Sequence, residues 1–473
     1  MAIVDPKNTH SALVITGEPG HTLAEGIGCN LLISNQSALP ELGDPERWPQ
    51  VIQALEDLQV GWMRVGVIPT AEGGAWDDKA QVWDFAHPHM QVAAAIGRWA
   101  QDAGIRLMFD PFVVPPSFRR GGAYFADDPQ QVAGRLILPV FRWLRSQGLT
   151  CYRYLGLLNE RIWGPDKEGL AAVPEFYRLY EAVRAGLDAQ GFDAAGVGLL
   201  GPSSLSSWEW PIADFFAAGL DPDPLWVGYD QHLYLYHFDW MQENTCDFMS
   251  LTELSERYLR RYADYAHKRG KPLFITELGN MYCGRLFWGE RDLEGPATHT
   301  SVLMDAELIV RAINQGVDGF LRWALCVKPE CDGRWSLLEN TAQGMMASPS
   351  AYPMYRLLMH AVRPGARVLA SRVHVAEGAF RYVFSAAVEN RDGQAALLLI
   401  NDMPGKDLNV GLKLSAPFGG VRGVPGFQGQ LQRTVCDEMR KGVVLPPVAL
   451  SEEGEGVVML PPSSLTVLST SPL

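Results

Sequence analysis

Apolar positions are not spread evenly along this chain. Eight short runs are almost continuously apolar: "EGIGCNLL" (25–32), "GWMRVGV" (61–67), "IRLMFDPF" (105–112), "YRYLGLLN" (152–159), "VGLLGPS" (197–203), "WVGYDQHLY" (226–234), "PLFITELG" (272–279) and "GFLRWAL" (319–325). Runs of this length and texture predict strands buried on both faces. Amphipathic stretches lie between them. "PERWPQVIQALEDL" sets Trp48, Ile52, Leu55 and Leu58 on one helical face. "PQQVAGRLILPVFRWLRSQG" and "LTELSERYLRRYADYAHKRG" end in basic residues and Gly, and "THTSVLMDAELIVRAINQG" ends in Asn and Gly, all helix C-terminal signals. Strand and helix alternating eight times predicts a parallel sheet closed into a (β/α)8 barrel. An open dinucleotide-binding sheet is disfavoured, because no GxGxxG follows the first strand.

The texture changes near residue 365. "ALLLIND", "LNVGLKLS", "GVVLPPVAL" and "GVVMLPPSSLTVLST" are short strand-like runs broken by Gly, Pro and Asn, without helical periodicity. The expected division is a barrel over 1–365 and an antiparallel β-sandwich over 366–473. The early run "SALVITG" (11–17), within residues 8–20, is a candidate partner for that sandwich. No long Pro/Ser linker separates Arg363 from Val373, so a brace against the barrel is favoured over an independent binding module.

Composition adds exclusions. The 473 residues are 47% apolar and 20% charged with net charge -14, and Lys and Arg form no block, so no nucleic-acid partner is expected. No run is long and apolar enough to predict a membrane-spanning helix, and the start carries no secretory pattern. Seven scattered cysteines without a CxxC read as reduced thiols and suit a cytoplasmic location. Ten histidines include no HxH or HExxH, so neither a metal nor another cofactor is expected.

In such a barrel the chemistry gathers at the C-terminal ends of the strands. There the chain offers Arg64 on the second strand, Asp110 on the third, Asn159 and Glu160 on the fourth, His232 and Tyr234 on the sixth, Glu277 on the seventh and Trp323 on the eighth. Glu160 and Glu277 come from strands that face one another across the mouth. Paired carboxylates in that position suit cleavage of a glycosidic bond: one protonated to serve the leaving oxygen, the other ionised to meet the anomeric carbon. Asn159 can donate to a sugar hydroxyl, and Arg64 can keep Glu277 ionised. Plainer readings stand beside these. A strand-end glutamate is commonly a solvated charge, Arg64 can bridge carboxylates in the wall, His232 can be structural, and Asp110 can cap the following turn. Aromatics crowd the loops after the strands (Trp76, Trp83, Phe118, Trp163, Trp208, Trp335), as loop anchors or as platforms for sugar.

"LLNE" on strand 4 and "FITELG" on strand 7 resemble clan A of the retaining glycoside hydrolases. The resemblance implies that Glu160 is the acid/base, that Glu277 is the nucleophile with Arg64 and the Tyr234 of "QHLY" bonding it, and that Trp323 lies under the sugar. The barrel followed by "YPMYRLLMHAVRPGARVLASRV" and "LPPSSLTVL" looks like the layout of families 30, 39 and 51. Two features depart from the pattern. "NEP" is "NER" here, with Arg161, and the histidine common near the end of strand 3 in family 5 is replaced by Asp110-Pro111-Phe112. The implied activity is a retaining β-glycosidase acting on small oligosaccharides or glycosides. Its competitors are a non-catalytic carbohydrate-binding barrel and a metal-dependent hydrolase or aldolase, for which no ligand cluster or strand-end lysine is evident. Sugar, linkage, exo or endo action and oligomeric state stay open.

Overall fold

The computed structural model describes residues 11–69, 74–118, 128–157, 159, 173–193, 196–205, 212–234, 251–279, 298–328, 335–375, 382–414 and 429–473. Eight parallel strands close a barrel in chain order: Gly26–Ile33, Trp62–Val67, Arg106–Asp110, Tyr152–Leu155, Gly198–Leu205, Trp226–Tyr234, Leu273–Gly279 and Gly319–Arg322. The eighth pairs with the first, Gly319 opposite Gly26. Every one of the apolar runs supplies a strand, because each must cover helices outside and fill the barrel inside. Ile27, Cys29, Leu31 and Ile33 face the helices, as do Met63, Val65 and Val67. Trp62, Met108, Leu200, Phe274 and Leu321 form a separate apolar layer within the barrel.

The fourth strand is shorter than its apolar run. It ends at Leu155, and the chain then passes over Asp110. A Cβ on Gly156 would lie 2.7 Å from Asp110 Oδ2, so glycine is required for that approach.

Helices fall where the amphipathic runs lie. Arg47–Leu58 buries Val51, Leu55 and Leu58, with Trp48 and Ile52 packed partly buried beside them. The run over 129–148 is not one regular helix. Residues Val132–Ile137 form a π turn before Leu138–Ser146, where Pro139 sits in the first turn. Proline has no N–H for the preceding carbonyl ladder, and a wider turn accommodates that loss. His299–Gln315 is capped by the Thr298 side chain, which accepts from Ser301 N, and stops at Gly316 with φ 96°.

A separate nine-stranded, mostly antiparallel sheet is built chiefly from the C-terminal part of the chain. Strand Ser11–Thr22 lies inside it, antiparallel to Arg367–Val375 and parallel to Leu408–Leu414. Its central strands are buried on both faces. Along Ala395–Asn401, Ala396, Leu398 and Ile400 join the barrel's core, whereas Ala395, Leu397 and Leu399 join a second core inside the sheet domain. Phe384, Ala386, Val388, Leu465 and Val467 face the barrel core as well. Asn314 Nδ2 donates to Ser385 O at 2.6 Å, and the Arg311 guanidinium lies 3.9 Å from the Phe384 ring centroid. The two parts therefore share one dry interface.

Leu398→Ala is expected to reduce stability by about 2–5 kcal/mol, the usual cost of a cavity in a closed core. Denaturant unfolding measures it. A loss within experimental error would mean the two parts do not depend on a shared core.

Candidate active site

Arg64 reaches the barrel interior because it lies two residues after Trp62, on the same face of the second strand, and it has 0% exposure. Its guanidinium makes five hydrogen bonds to four acceptor atoms. Nε and Nη2 both donate to Asp110 Oδ2, at 3.1 and 2.7 Å. Nη2 also donates to Asn159 Oδ1, and Nη1 to Glu277 Oε1 and, at 3.4 Å, to Asn30 Oδ1. Burial works against the guanidinium's charge, but the carboxylates of Asp110 and Glu277 outweigh it and hold the group above its ordinary pKa. The ring of Phe112 covers it, 4.5 Å from Cζ to centroid. Gly66 leaves room for that ring: a Cβ there would lie 2.1 Å from Phe112.

Glu277 arrives by a change of register. Phe274 faces the interior and Ile275 the helices. Strict alternation would turn residue 277 outward. The pairing with the sixth strand shifts between Ile275 and Glu277, and Leu278 faces the helices instead. Glu277 is thereby turned onto Arg64, with 4% of its surface exposed. Its Oε2 accepts from Tyr234 Oη at 2.9 Å and lies 3.4 Å from His232 Nδ1. These donors favour the ionised carboxylate. His232 is fully buried and its pKa is lowered, first by burial and also by Arg64, against the pull of Glu277, Asp230 and Asp110. It is neutral at neutral pH.

The strand-end residues named from the sequence fall into three groups. Arg64, Asn159, His232, Tyr234 and Glu277 converge. Trp323 packs with Leu32, Phe112, Tyr234 and Trp335 beside them, 6.1 Å from the Phe112 ring, and the Trp323–Ala324 peptide is cis. Asp110 follows the plainer of its two readings: it has no exposed surface, its Oδ2 is taken by Arg64 and its Oδ1 accepts from Phe112 N at 2.7 Å, so it caps a turn and holds Arg64. Glu160 and Trp163 lie outside the described residues, as do Arg161 and Trp208. Of the loop aromatics, Trp76, Trp83 and Phe118 pack on one another, with Trp83 Nε1 bonded to Leu136 O. They form loop core and not a platform.

Asn30 was not singled out by sequence. It bridges strands one and seven, donating to Thr276 O at 2.9 Å while accepting from Arg64. Asp230 was also missed. It accepts from Ser203 Oγ at 2.6 Å and Thr276 Oγ1 at 3.2 Å, tying strands five, six and seven beneath His232. A buried polar residue inside an apolar run was the available signal in both cases.

No protein-family model matches the chain, and no curated protein matches it significantly. Solved structures do. The catalytic domain of GH30 xylanase C from Talaromyces cellulolyticus has a TM-score of 0.67 at 14% identity, covering 97% of this chain and 99% of that one. The GH51 arabinofuranosidase from Xanthomonas axonopodis pv. citri gives 0.65 at 13% identity, again over 97% and 99%. A conserved exported protein from Bacteroides fragilis gives 0.66 at 11%, over 97% and 100%. The fold is that of the barrel-plus-sandwich glycoside hydrolases of clan A. One of these structures is named as a family 30 enzyme and another as a family 51 enzyme, so they define the fold and leave the family unassigned.

Arg64→Met removes the counter-charge of two buried carboxylates, and a loss of about 3–5 kcal/mol is expected. A buried carboxylate without a cation costs less protonated than ionised, so the deficit should be smaller at pH 5 than at pH 8. Unfolding at pH 5 and pH 8 checks this. An equal deficit at both would argue against the pairing.

Proposed function

We propose that the chain is a retaining β-glycosidase in which Glu277 is the nucleophile and Glu160 the general acid and base. The observation that carries this reading is the setting of Glu277. Glu277, at the end of the seventh strand, is held by Arg64, Tyr234 and His232, and the same Arg64 meets Asn159, the residue before Glu160 in the sequence. A surface carboxylate needs no such support. The similar structures add weight, since those named above include a xylanase and an arabinofuranosidase.

In the first step a Glu277 oxygen bonds to the anomeric carbon as the bond to the leaving oxygen breaks, and Glu160 gives that oxygen its proton. In the second step water attacks the same carbon, Glu160 takes the water's proton and the bond to Glu277 breaks. Two inversions retain the anomeric configuration. Arg64 and Tyr234 stabilise Glu277 both as attacking carboxylate and as departing one. In this reading the Asn159 amide N–H bonds a sugar hydroxyl, and Trp323 underlies the ring.

Screening aryl β-glycosides identifies the sugar. On that sugar, Glu160→Ala should lower turnover of unactivated leaving groups by roughly 10²–10⁴-fold, spare activated ones, and be rescued by azide. A uniform loss without azide rescue would remove Glu160 from this role. A 2-deoxy-2-fluoro glycoside should label Glu277, seen as a mass shift on the peptide containing "FITELGN", and proton NMR should find the β anomer first. An α anomer, or a label elsewhere, would refute the mechanism. Binding of sugars without turnover of any glycoside would favour a non-catalytic carbohydrate-binding barrel.

A further inference from the structure

Asp110 occupies the end of the third strand, where it has no access to a ligand. One guanidinium there serves two carboxylates, because Asp110 Oδ2 takes Nε and Nη2 of Arg64 while Glu277 takes Nη1. The clamp on Nε and Nη2 fixes the plane of the fork. That plane aims Nη1 at Glu277 and Nη2 at Asn159. Arginine can only donate, so the Asn159 atom facing it is the oxygen, and the orientation of that amide is set as well.

We infer that Asp110 is a positioning residue that acts on the reaction through Arg64, fixing the guanidinium and taking up part of its charge so that Glu277 remains a strong nucleophile. This role rests on the reading of Glu277 as nucleophile. The argument is one of charge. With Asp110 ionised, Glu277 faces a partly neutralised guanidinium. With Asp110 neutral, Glu277 faces the full charge, becoming a weaker nucleophile and a better leaving group. The two chemical steps respond in opposite senses, since the first needs the nucleophile and the second the leaving group. A residue that merely supported the wall would impair both steps together.

Among the described residues, the titratable or charged groups bearing on Glu277 include Arg64 from the second strand, His232 and Tyr234 from the sixth, Asp110 beyond Arg64 and Asp230 beneath His232. Glu160 joins them in the proposed mechanism. Removing the charge of Asp110 removes a repulsion on the ionised Glu277. The acidic limb of the kcat/KM–pH profile should therefore move down.

The test is Asp110→Asn, with pre-steady-state kinetics on the dinitrophenyl glycoside of the sugar that the unaltered chain hydrolyses. The expected result is a fall in kcat/KM on the order of tenfold, with no fall in the deglycosylation rate and an acidic limb displaced downward by about one pH unit. Equal slowing of both steps, or an upward displacement as Arg64 releases Glu277, would overturn the role. Turnover by the unaltered chain is measured first. Its absence would sink the glycosidase reading and this role with it, whereas turnover with an upward limb sinks the role alone. If Asp110→Asn does not fold, Asp110→Glu keeps the charge and disturbs only the clamp. It should lower kcat/KM and leave the acidic limb in place, and a downward limb in that variant would overturn the charge argument.

Discussion

A guanidinium with no exposed surface is tolerated only where its charge and its donors are both matched, because its hydration has been lost. Arg64 meets that condition with acceptors from four separate places: Asn30 on the first strand, Asp110 on the third, Asn159 beyond the fourth and Glu277 on the seventh. The constraint runs both ways. The arginine requires the barrel to be closed, since strands one, three, four and seven can surround one side chain only in a closed sheet. The polar ends of those strands in turn have defined positions because a rigid five-donor fork admits few arrangements.

The rest of the barrel can be understood as insulation for this contact. On the N-terminal side lies the layer of Trp62, Met108, Leu200, Phe274 and Leu321, with Trp62 Nε1 bonded to Phe320 O at 3.2 Å. On the side of the mouth lie Leu32, Phe112, Tyr234, Trp323 and Trp335. Charges between two apolar layers interact more strongly than in water. The cost of burying them has to be met by the packing around them. The sheet domain contributes to that packing at a distance, covering the helix His299–Gln315 through Phe384 and Ser385. The same helix carries Asp305, whose carboxylate pairs with Arg322 on the outer side of the eighth strand. A brace on this helix thus bears on the strand that leads to Trp323.

How far this was legible in the sequence follows from which physics each feature uses. Burial on two faces leaves a continuous apolar run, so all eight barrel strands and the sheet strand Ala395–Asn401 could be read directly, whereas Val383–Glu389 at the middle of the sheet was not named. Strand ends carry polar residues in known order, so Arg64, Asn159, His232, Tyr234 and Glu277 could be named. Alternation alone would have misplaced Glu277, because the register shift after Ile275 leaves no residue pattern of its own. Asp110 was named with two readings open, a ligand contact and a turn cap. Whether a strand-end carboxylate meets a ligand or a neighbouring arginine depends on the stagger between strands two and three, where Gly66 and not Arg64 is its register partner. The rim aromatics were open to two readings for a similar reason. Exposure is a property of the folded loop, and Trp76, Trp83 and Phe118 are used up in packing on one another.

The distribution of constraint explains why the fold is shared at 11–14% identity. Most of the chain has only to be apolar at the right period and to fill its volume, and many sequences satisfy that condition. The polar centre is different. Replacing Asn159, Glu277 or Asp110 takes an acceptor from a guanidinium that has no exposed surface, and replacing Arg64 leaves two carboxylates without a cation. Such a cluster changes as a unit or not at all. Asp110 lies one contact beyond Glu277, with Arg64 between them, so a change at Asp110 falls first on the charge that Arg64 presents to Glu277.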